Sequence, residues 1–595
     1  MLRTLLRFGV VAGAVGLGAC KLEVINPNSP TTIQVKATPA DLETFLGTQY
    51  RRIHAALYGT TANVWGMMQV QSFENFSTLS NNCQGQRVSI PRAGNDNSVG
   101  NTCFSEQNRI YFQASEVGRA VSDGLRKMDE GLTFGTPEQD FRNRAFAEFV
   151  RGLALGYLAL VYDSAGITTP DDPVTAQGTS DPGELSHYSD VGAAAITAFD
   201  KAVDAATSAA ALPASSTNFP LPSNWVFTTN TLSAAEFIKL VRSYRARIRA
   251  NVARTPAERA AVNWDLVIAD AQNGITADHR ITTNTVTGPN NSWVNQWYSY
   301  STWHQALPFI YGMADNSGNY GAWIATPLGT RGAGAVPFFM TTADQRFPQG
   351  ADRAAQRLDF ALTQCSAANI VCKRYFVNRD GTDPPASPTW GASQYDHARF
   401  YSWKTSGNTG TGQNGPFPFF TVAELNMLEA EGQIRKGNIA AAAALIDKTR
   451  AACGPGGTAV SPGCTARPAG NGDPNTGGGL PALTGVVLDA TTPVPGGGAC
   501  VPLVPHNASN AGGGTVACGN IFEAMKWEKR IETAYTHFGA WFFDSRGWGD
   551  LPLATPVDWA PPYEELQTRF RIGAQIYSVG GPNPYGGAAV SGYGW

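Results

Sequence analysis

The chain has 595 residues, a formal net charge of −3 and only 15% charged residues. With 43% hydrophobic and 10% aromatic residues, it can bury a sizeable core. The near-neutral charge provides no broad basic field, which excludes nucleic acid as an expected partner. Because charged residues are scarcer than the roughly 25% of ordinary soluble proteins, we expect neutral polar ligands to suit this surface better than ionic ones.

The first twenty residues have the pattern of a bacterial lipoprotein signal. Two arginines precede an apolar stretch over residues 8–17, which is followed by two small residues and Cys20. This stretch is too short to span a bilayer, which needs about 20 apolar residues, and no other stretch approaches that length. We predict a signal peptide over 1–19, a lipid on Cys20 and a linker over 20–38, so that the protein is anchored to a membrane rather than spanning it. An ordinary secretory signal with a chance cysteine is the alternative.

Residues 39–595 are predicted to form one domain in which segments of helical periodicity come in pairs. The pairs cover about 40–128, 140–206, 233–273 and 422–452, and a further helix is expected over 519–545. In the last pair small and large residues alternate, which would let its second helix approach closely; the residues are Leu425, Leu428, Ala430, Gly432 and Ile434. Hairpins that bury their apolar faces only against neighbours are typical of tetratricopeptide repeats. We therefore predict a predominantly α fold of tetratricopeptide-like helical hairpin repeats, with generic amphipathic hairpins as the alternative.

Two long stretches interrupt the helical pattern, over about 280–418 and 454–518, and we call them the first and second insertions. Structureless loops of this length are uncommon in compact domains unless they are functional or stapled. We expect irregular excursions with short strands and helices, packed on the helical scaffold. A shorter stretch, 95–101, could hold calcium, but it has a single carboxylate, so a solvated turn is the simpler interpretation.

Eight cysteines remain once Cys20 is set aside, an even number that suits an exported protein with disulfides. Sequence neighbours could pair as Cys83 with Cys103, Cys365 with Cys372, Cys453 with Cys464, and Cys500 with Cys518. Eight cysteines formally allow 105 connectivities. Zinc is the alternative, but the chain has no CxxC pair and only His506 lies close to these thiols. We expect no metal and no cofactor.

An aromatic-rich segment near the start of the first insertion is the strongest candidate for a ligand surface. It contains Trp293, Trp297, Tyr298, Tyr300, Trp303, Tyr311, Tyr320 and Trp323 among Asn, Ser, Gly and Gln. Sugar rings pack their C–H faces on indoles, while amides hydrogen-bond the hydroxyl groups without adding charge. The spacing fits neither a helix nor a strand period, although half or more of these large aromatics are expected in the core.

Several strings resemble the SusD/RagB family of outer-membrane nutrient-uptake lipoproteins. Residues 20–28 (CKLEVINPN) look like the family's opening, 149–162 like a helix of its second repeat, and 422–450 like its last repeat. The most specific string is 527–549, where WEKRIE is followed by GAWFFDSRGWG. It resembles the family's C-terminal helix and its ending, with one extra residue before Asp544.

The resemblance implies a SusD-like α–α superhelix with a ligand surface built from the loops after the first and third helical pairs. The aromatic segment falls in the second of these places, and the region of Cys83 and Cys103 falls in the first. The implied ligand-binding residues are Trp293, Trp297, Tyr298, Trp303, Tyr320, Trp323, Asn81 and Trp65. The implied partners are a nutrient ligand and a SusC-type TonB-dependent transporter, at the outer membrane and facing the cell exterior.

Carboxylates in the C-terminal string allow two interpretations. Glu528 and Glu532 lie one turn apart, so they could form salt bridges with neighbouring helices, while Asp544 and Arg546 would cap the helix end. Alternatively, two suitably separated carboxylates could hydrolyse a glycosidic bond. We favour the scaffold role, because no comparable carboxylate pair lies in the aromatic segment.

The sequence therefore predicts a binding protein without catalytic residues, which captures an oligosaccharide or another nutrient and delivers it to the transporter. A surface glycoside hydrolase and an envelope repeat scaffold without a small ligand are the two alternatives.

Overall fold

The structure is a computed structural model. It describes residues 38–58, 64–75, 92, 95–97, 100–101, 103–173, 183–283, 305–326, 339–362, 374–378, 395–399, 415–454, 464, 476–506, 515–568 and 592–593. Helices dominate these ranges and the strands are short. The signal peptide, Cys20 and the linker lie outside the described residues.

The first half of the chain is mainly helical, with long and short helices in succession. They are α1 (Pro39–Gly47), α2 (Gln49–Tyr58), α3 (Val64–Gln71), α4 (Phe104–Asp129), α5 (Pro137–Val161), α6 (Tyr188–Ala210), α7 (Ser215–Asn218), α8 (Ser223–Val226), α9 (Ala234–Asn251), α10 (Pro256–Ala261) and α11 (Trp264–Gln272). The first predicted helix is divided at Thr48, whose hydroxyl donates to the carbonyl of Phe45 at 2.7 Å and ends α1.

Side-chain caps define where many of these helices begin. Thr136 and Thr255 each accept a hydrogen bond from the third residue of their helix and are followed by proline at the first helical position. Ser233 and Glu236 form a reciprocal capping box at the start of α9. Each cap satisfies backbone N–H groups that have no partner inside the helix, so the sequence specifies these boundaries locally.

The long helices pack in chain order, each on the next. Helix α4 packs on α5, α5 on α6, α6 on α9, and α9 on α11. Close approach of α5 and α6 requires a glycine, because a Cβ on Gly152 would lie 2.7 Å from the ring of Phe199. This serial packing of helices confirms the predominantly α, tetratricopeptide-like fold.

Helix α5 is the centre of the core. From Ala145 to Val161 every residue is buried, which is typical of a helix surrounded by other elements on all sides. The main apolar core is one cluster of buried residues, which come from all parts of the described chain between Leu42 in α1 and Tyr593 near the C-terminus. The described parts of the chain therefore share one main core.

The two ends of the first insertion are paired as a two-stranded antiparallel ladder. Its strands are β3 (His279–Thr283) and β7 (Gly415–Phe420), after the small pair β1 (Ser164–Ala165) and β2 (Ser186–His187). Within the insertion lie β4 (Gln305–Ala306), α12 (Pro308–Tyr311), a 3₁₀ turn (Gly312–Ala314), α13 (Asn319–Ile324), α14 (Arg353–Leu362), β5 (Phe376–Asn378) and β6 (Tyr395–His397). Strands β4, β6 and β5 form a three-stranded sheet in that order.

The fourth helical pair, α15 (Val422–Arg435) and α16 (Ile439–Arg450), carries the second insertion. Two of the predicted disulfides are present here, Cys453–Cys464 and Cys500–Cys518, and the latter links the hairpin of β8 (Leu503–His506) and β9 (Thr515–Cys518) to the segment before it. Apolar residues of this insertion, including Leu483 and Val487, form a second core cluster with α15 and α16.

Of the other two predicted disulfides, only Cys103 lies within the described residues. Cys103 is disulfide-bonded, and its predicted partner Cys83 lies outside the described residues. Cys365 and Cys372 lie outside the described residues as well.

The C-terminal helix predicted over 519–545 is in fact two helices, α17 (Ile521–Thr533) and α18 (Ala540–Trp548), followed by α19 (Tyr563–Thr568). The break contains Tyr535 with φ of 61° and Gly539 with φ of 70°. A residue with positive φ cannot continue a right-handed α-helix, so the chain turns here although its apolar pattern continues.

Candidate ligand-binding face and its buried support

The predicted ligand-binding residues fall into two groups. Trp293, Trp297, Tyr298, Trp303 and Asn81 lie outside the described residues. The part of the aromatic segment outside the described residues follows β3, which ends at Thr283, and precedes β4, which begins at Gln305. The segment therefore connects the scaffold ladder to the sheet of the first insertion.

Tyr320 does not belong to an accessible surface, which corrects the prediction for this residue. It is fully buried in α13, and its hydroxyl donates to the carbonyl of Phe309 at 2.8 Å. Its ring occupies the space beside Gly312, where a Cβ would lie 2.3 Å from the ring. Tyr320 is a core residue because the apolar ring and the satisfied hydroxyl leave no face for a ligand.

Trp323 lies in the same short helix and is partly buried. Its ring meets Phe309 edge to face at a centroid distance of 4.8 Å and stacks near Tyr320 at 6.1 Å. Trp65 lies in α3, in the connection after the first helices.

The two connections expected to carry the ligand surface are in direct contact. Phe73, which follows α3, stacks on Phe309 of the first insertion with ring centroids 4.3 Å apart and an interplanar angle of 1°. The guanidinium of Arg92 lies 5.1 Å from the centroid of the Phe73 ring. Sequence reasoning missed Phe73 and Phe309, because neither belongs to a motif and the contact joins residues far apart in the chain.

A buried polar layer lies next to this stack. Glu74 is fully buried and accepts a hydrogen bond from the backbone N–H of Tyr535 at 2.7 Å, while the Tyr535 hydroxyl donates to Asn75 at 2.8 Å. Burial raises the pKa of Glu74 to about 8, although the hydrogen bond from the Tyr535 backbone N–H opposes the shift. The Tyr535 ring stacks on His397 of the first insertion, so this layer joins α3, the insertion and the break between α17 and α18.

The predicted solvated turn over 95–101 is instead anchored by two buried asparagines. The side-chain amide of Asn95 donates to the carbonyl of Asp558, and that of Asn97 donates to the carbonyl of Pro561 at 2.9 Å. Both side chains use their amide hydrogens to hold the C-terminal segment. Within the described ranges no group of three or more His, Cys, Asp or Glu side chains could hold a metal ion.

The two C-terminal carboxylates, Glu528 and Glu532, are structural. Arg346 of the first insertion pairs with Glu528 at 2.8 Å, with Glu532 at 3.1 Å and with Asp344 at 2.7 Å, and all four side chains are fully buried. Thr449 of α16 donates to Glu528 at 2.8 Å. The carboxylates are therefore occupied and inaccessible, which favours the scaffold interpretation, although the pairing is buried rather than on a helix surface.

The pKa of Glu528 reflects this setting. Burial raises it above the ordinary value, while the Arg346 guanidinium lowers it and the neighbouring Asp344 carboxylate raises it. A shifted carboxyl group is common at active sites, but this one is fully buried and both of its oxygens are bonded to Arg346.

The prediction that Asp544 and Arg546 cap their own helix is wrong. Asp544 accepts from Lys529 at 2.7 Å and from Arg259 at 3.1 Å. Arg546 donates to the carbonyls of Leu160 and Asn251, in the last turns of α5 and α9. The arginine thus caps two other helices, whose final carbonyls have no partner within their own helix.

None of the helices in the described ranges combines the length and apolarity that a membrane span requires.

Comparisons with known proteins give structural matches only. No family model and no curated protein matches the sequence. A SusD superfamily protein from Bacteroides vulgatus ATCC 8482 is 13% identical, with a TM-score of 0.42 and coverage of 86% of this chain and 88% of that chain. A laminarin-binding SusD-like protein is 13% identical, with a TM-score of 0.41 and coverage of 90% and 94%. Surface glycan-binding protein A from Bacteroides uniformis is 11% identical, with a TM-score of 0.46 and coverage of 89% and 98%.

Proposed function

We propose that this protein is a SusD-like lipoprotein of the outer membrane, which binds an oligosaccharide or another nutrient at the cell surface. It delivers that ligand to a SusC-type TonB-dependent transporter. The lipid on Cys20 anchors the chain, and the barrel of the partner performs the transport. The contribution of this chain is affinity and gating rather than catalysis.

The stack of Phe73 on Phe309 is the observation that carries the proposal. It brings the connection after the first helices against the insertion that contains the aromatic segment. Two aromatic-bearing connections that meet on one side of a rigid helical scaffold can present several flat faces to a sugar. The buried pairing of Arg346 with Glu528 supports this arrangement, because it fixes the insertion to the scaffold.

A binding role is also favoured over hydrolysis by the state of the carboxylates. Glycosidases need two carboxyl groups that flank an accessible bond, whereas Glu528 and Glu532 are fully buried and ion-paired. The hydrolase alternative therefore has no support from this pair.

The test is glycan binding by the full chain, first on a glycan array and then by isothermal titration calorimetry. Changing Trp293, Trp297 and Trp303 together to Ala should weaken the affinity for the array-selected glycan about tenfold or more, because stacking faces are lost.

Tyr320→Phe is the matched control for that triple variant. It keeps a buried ring and removes only a hydroxyl that is bonded within the core, so the affinity should stay at the wild-type value. An array without any bound glycan would favour the scaffold alternative. Release of shortened glycans would identify a hydrolase instead.

A further inference from the structure

A cleft of about 460 Å³ is lined by residues of the helical scaffold, none of which was predicted to bind a ligand. Its lining comes from α1 and α2, the start of α5, and the short helix α8: Glu43, Thr44, Gly47, Thr48, Arg51, Arg142, Pro222, Asn224, Trp225 and Phe227. This volume is within the range of roughly 300–1,000 Å³ that small-molecule sites occupy. Sequence analysis assigned no role to this region.

Trp225 is a buried residue of the cleft lining. Its side chain is 6% exposed and packs against Phe146 at a centroid distance of 4.8 Å. The indole nitrogen lies against Gly47, where a Cβ would be only 2.4 Å away. The indole N–H is the hydrogen-bond donor that Trp225 contributes to the lining.

The cleft lining has more positively charged than negatively charged side chains. Arg142 is paired with Glu43 and also donates to the carbonyl of Asn218 at 3.2 Å. Arg51 is exposed and forms no ion pair within the described part of the chain. Asn224 is exposed as well, and two guanidinium groups face one carboxylate, so the lining carries a net positive charge.

We propose that this cleft is a binding site for a small carboxylate-bearing ligand of about the size of one sugar ring, such as a hexuronic acid. The carboxylate would lie against Arg51, since a guanidinium matches carboxylate geometry with paired N–H donors. The hydroxyl groups would accept from the indole N–H of Trp225 and bond to the amide of Asn224. The cleft lining shares no residue with those proposed to bind the glycan, so this inference does not depend on the proposed function.

Calorimetric titration of the full chain with glucuronate, glucose and acetate tests the proposal. Glucuronate should bind with measurable heat, whereas glucose lacks the charge and acetate lacks the hydroxyl groups, so both should bind at least about tenfold more weakly. Equal affinity for acetate and glucuronate would overturn the assignment of a sugar acid. Absence of glucuronate binding at millimolar concentration would overturn the site itself. A uronic-acid oligosaccharide, titrated in parallel, distinguishes a free acid from a residue within a longer glycan.

Two variants locate the binding. Arg51→Ala should weaken glucuronate binding about tenfold, while Arg52→Ala, on the same helix but outside the cleft lining, should not change it. Trp225→Phe removes the N–H and should weaken binding; it also removes the part of the indole that packs on Gly47, so the unfolding midpoint should fall as well. Binding that survives both Arg51→Ala and Trp225→Phe would place the ligand elsewhere and contradict the proposal.

Discussion

Single buried residues hold the major parts of this protein together. Arg346 lies in the first insertion and contacts carboxylates from its own loop and from α17, all without access to solvent. Burying charges is costly unless each is paired and hydrogen-bonded, and here the pairing is complete enough to join two elements. The function of the network is to position the insertion.

Arg346→Met should therefore destabilise the fold strongly. The change leaves Asp344, Glu528 and Glu532 buried without their common cation, which costs about 3–5 kcal/mol for a broken buried pair. The free energy of unfolding from urea titration measures the effect. Lys127→Met removes the exposed pair with Glu130 and should cost no more than about 1 kcal/mol. Similar losses in the two variants would contradict the role assigned to Arg346.

Glu74 should make stability depend on pH. Its pKa is raised by burial from the ordinary 4.5 to about 8, so the folded state retains a proton that the unfolded state releases. The stabilising contribution is complete below pH 4.5 and is lost as the pH rises through 8. Glu74→Gln mimics the protonated group and can still accept from Tyr535.

As the pH rises from 5 to 8, the free energy of unfolding of Glu74→Gln should therefore increase relative to that of the wild type. Unfolding free energies measured at both pH values for the two proteins give this difference directly. A difference that is the same at pH 5 and pH 8 would show that Glu74 does not titrate in this window.

At the scale of elements, contacts between repeats depend on small residues. The sequence pattern of α15 predicted close approach of its own partner, α16. Gly432 itself faces the preceding repeat, since a Cβ there would lie 2.8 Å from Ile268 and 3.2 Å from Trp264 in α11. Helix α15 does pack on α16 as the pattern predicted, and Gly432 adds a second close contact that the pattern did not assign, because periodicity does not state which helix lies opposite a face.

Gly432→Ala should destabilise the protein by about 1 kcal/mol or more. Alanine gains roughly 0.5–1 kcal/mol in helix propensity, but overpacking against Ile268 typically costs 1–3 kcal/mol. Thermal unfolding would reveal the net loss. Gly321→Ala in α13 is the control, because its nearest neighbour would be at an ordinary 3.5 Å and the change should be neutral or stabilising. A stabilising Gly432→Ala would mean that α11 can move away at no cost.

At the scale of the whole molecule, the architecture separates a rigid scaffold from the insertions that it carries. The ladder of β3 and β7 closes the first insertion at its base, and the Phe73–Phe309 stack ties it to the connection after α3. The proposed anchor precedes this body in the chain, so anchoring and ligand binding should be separable.

Cys20→Ser should release the protein from membranes without weakening its glycan affinity. The hydroxyl cannot accept the lipid that we propose for the thiol, and these acyl chains are the proposed anchor. Membrane fractionation of cells that express each form measures the release. A variant that remains in the membrane fraction would contradict the proposed lipidation of Cys20.

The sequence alone was sufficient to predict the features that local chemistry decides. Periodicity located the long helices such as α5 and α9, and neighbouring cysteines predicted Cys500–Cys518 correctly, because these features depend on residues close together in the chain. Only the tertiary structure decided which groups meet across hundreds of residues. It placed Tyr320 in the core, broke the C-terminal helix at Tyr535 and brought Arg346 to Glu528, because burial and ion pairing depend on neighbours that no local pattern encodes.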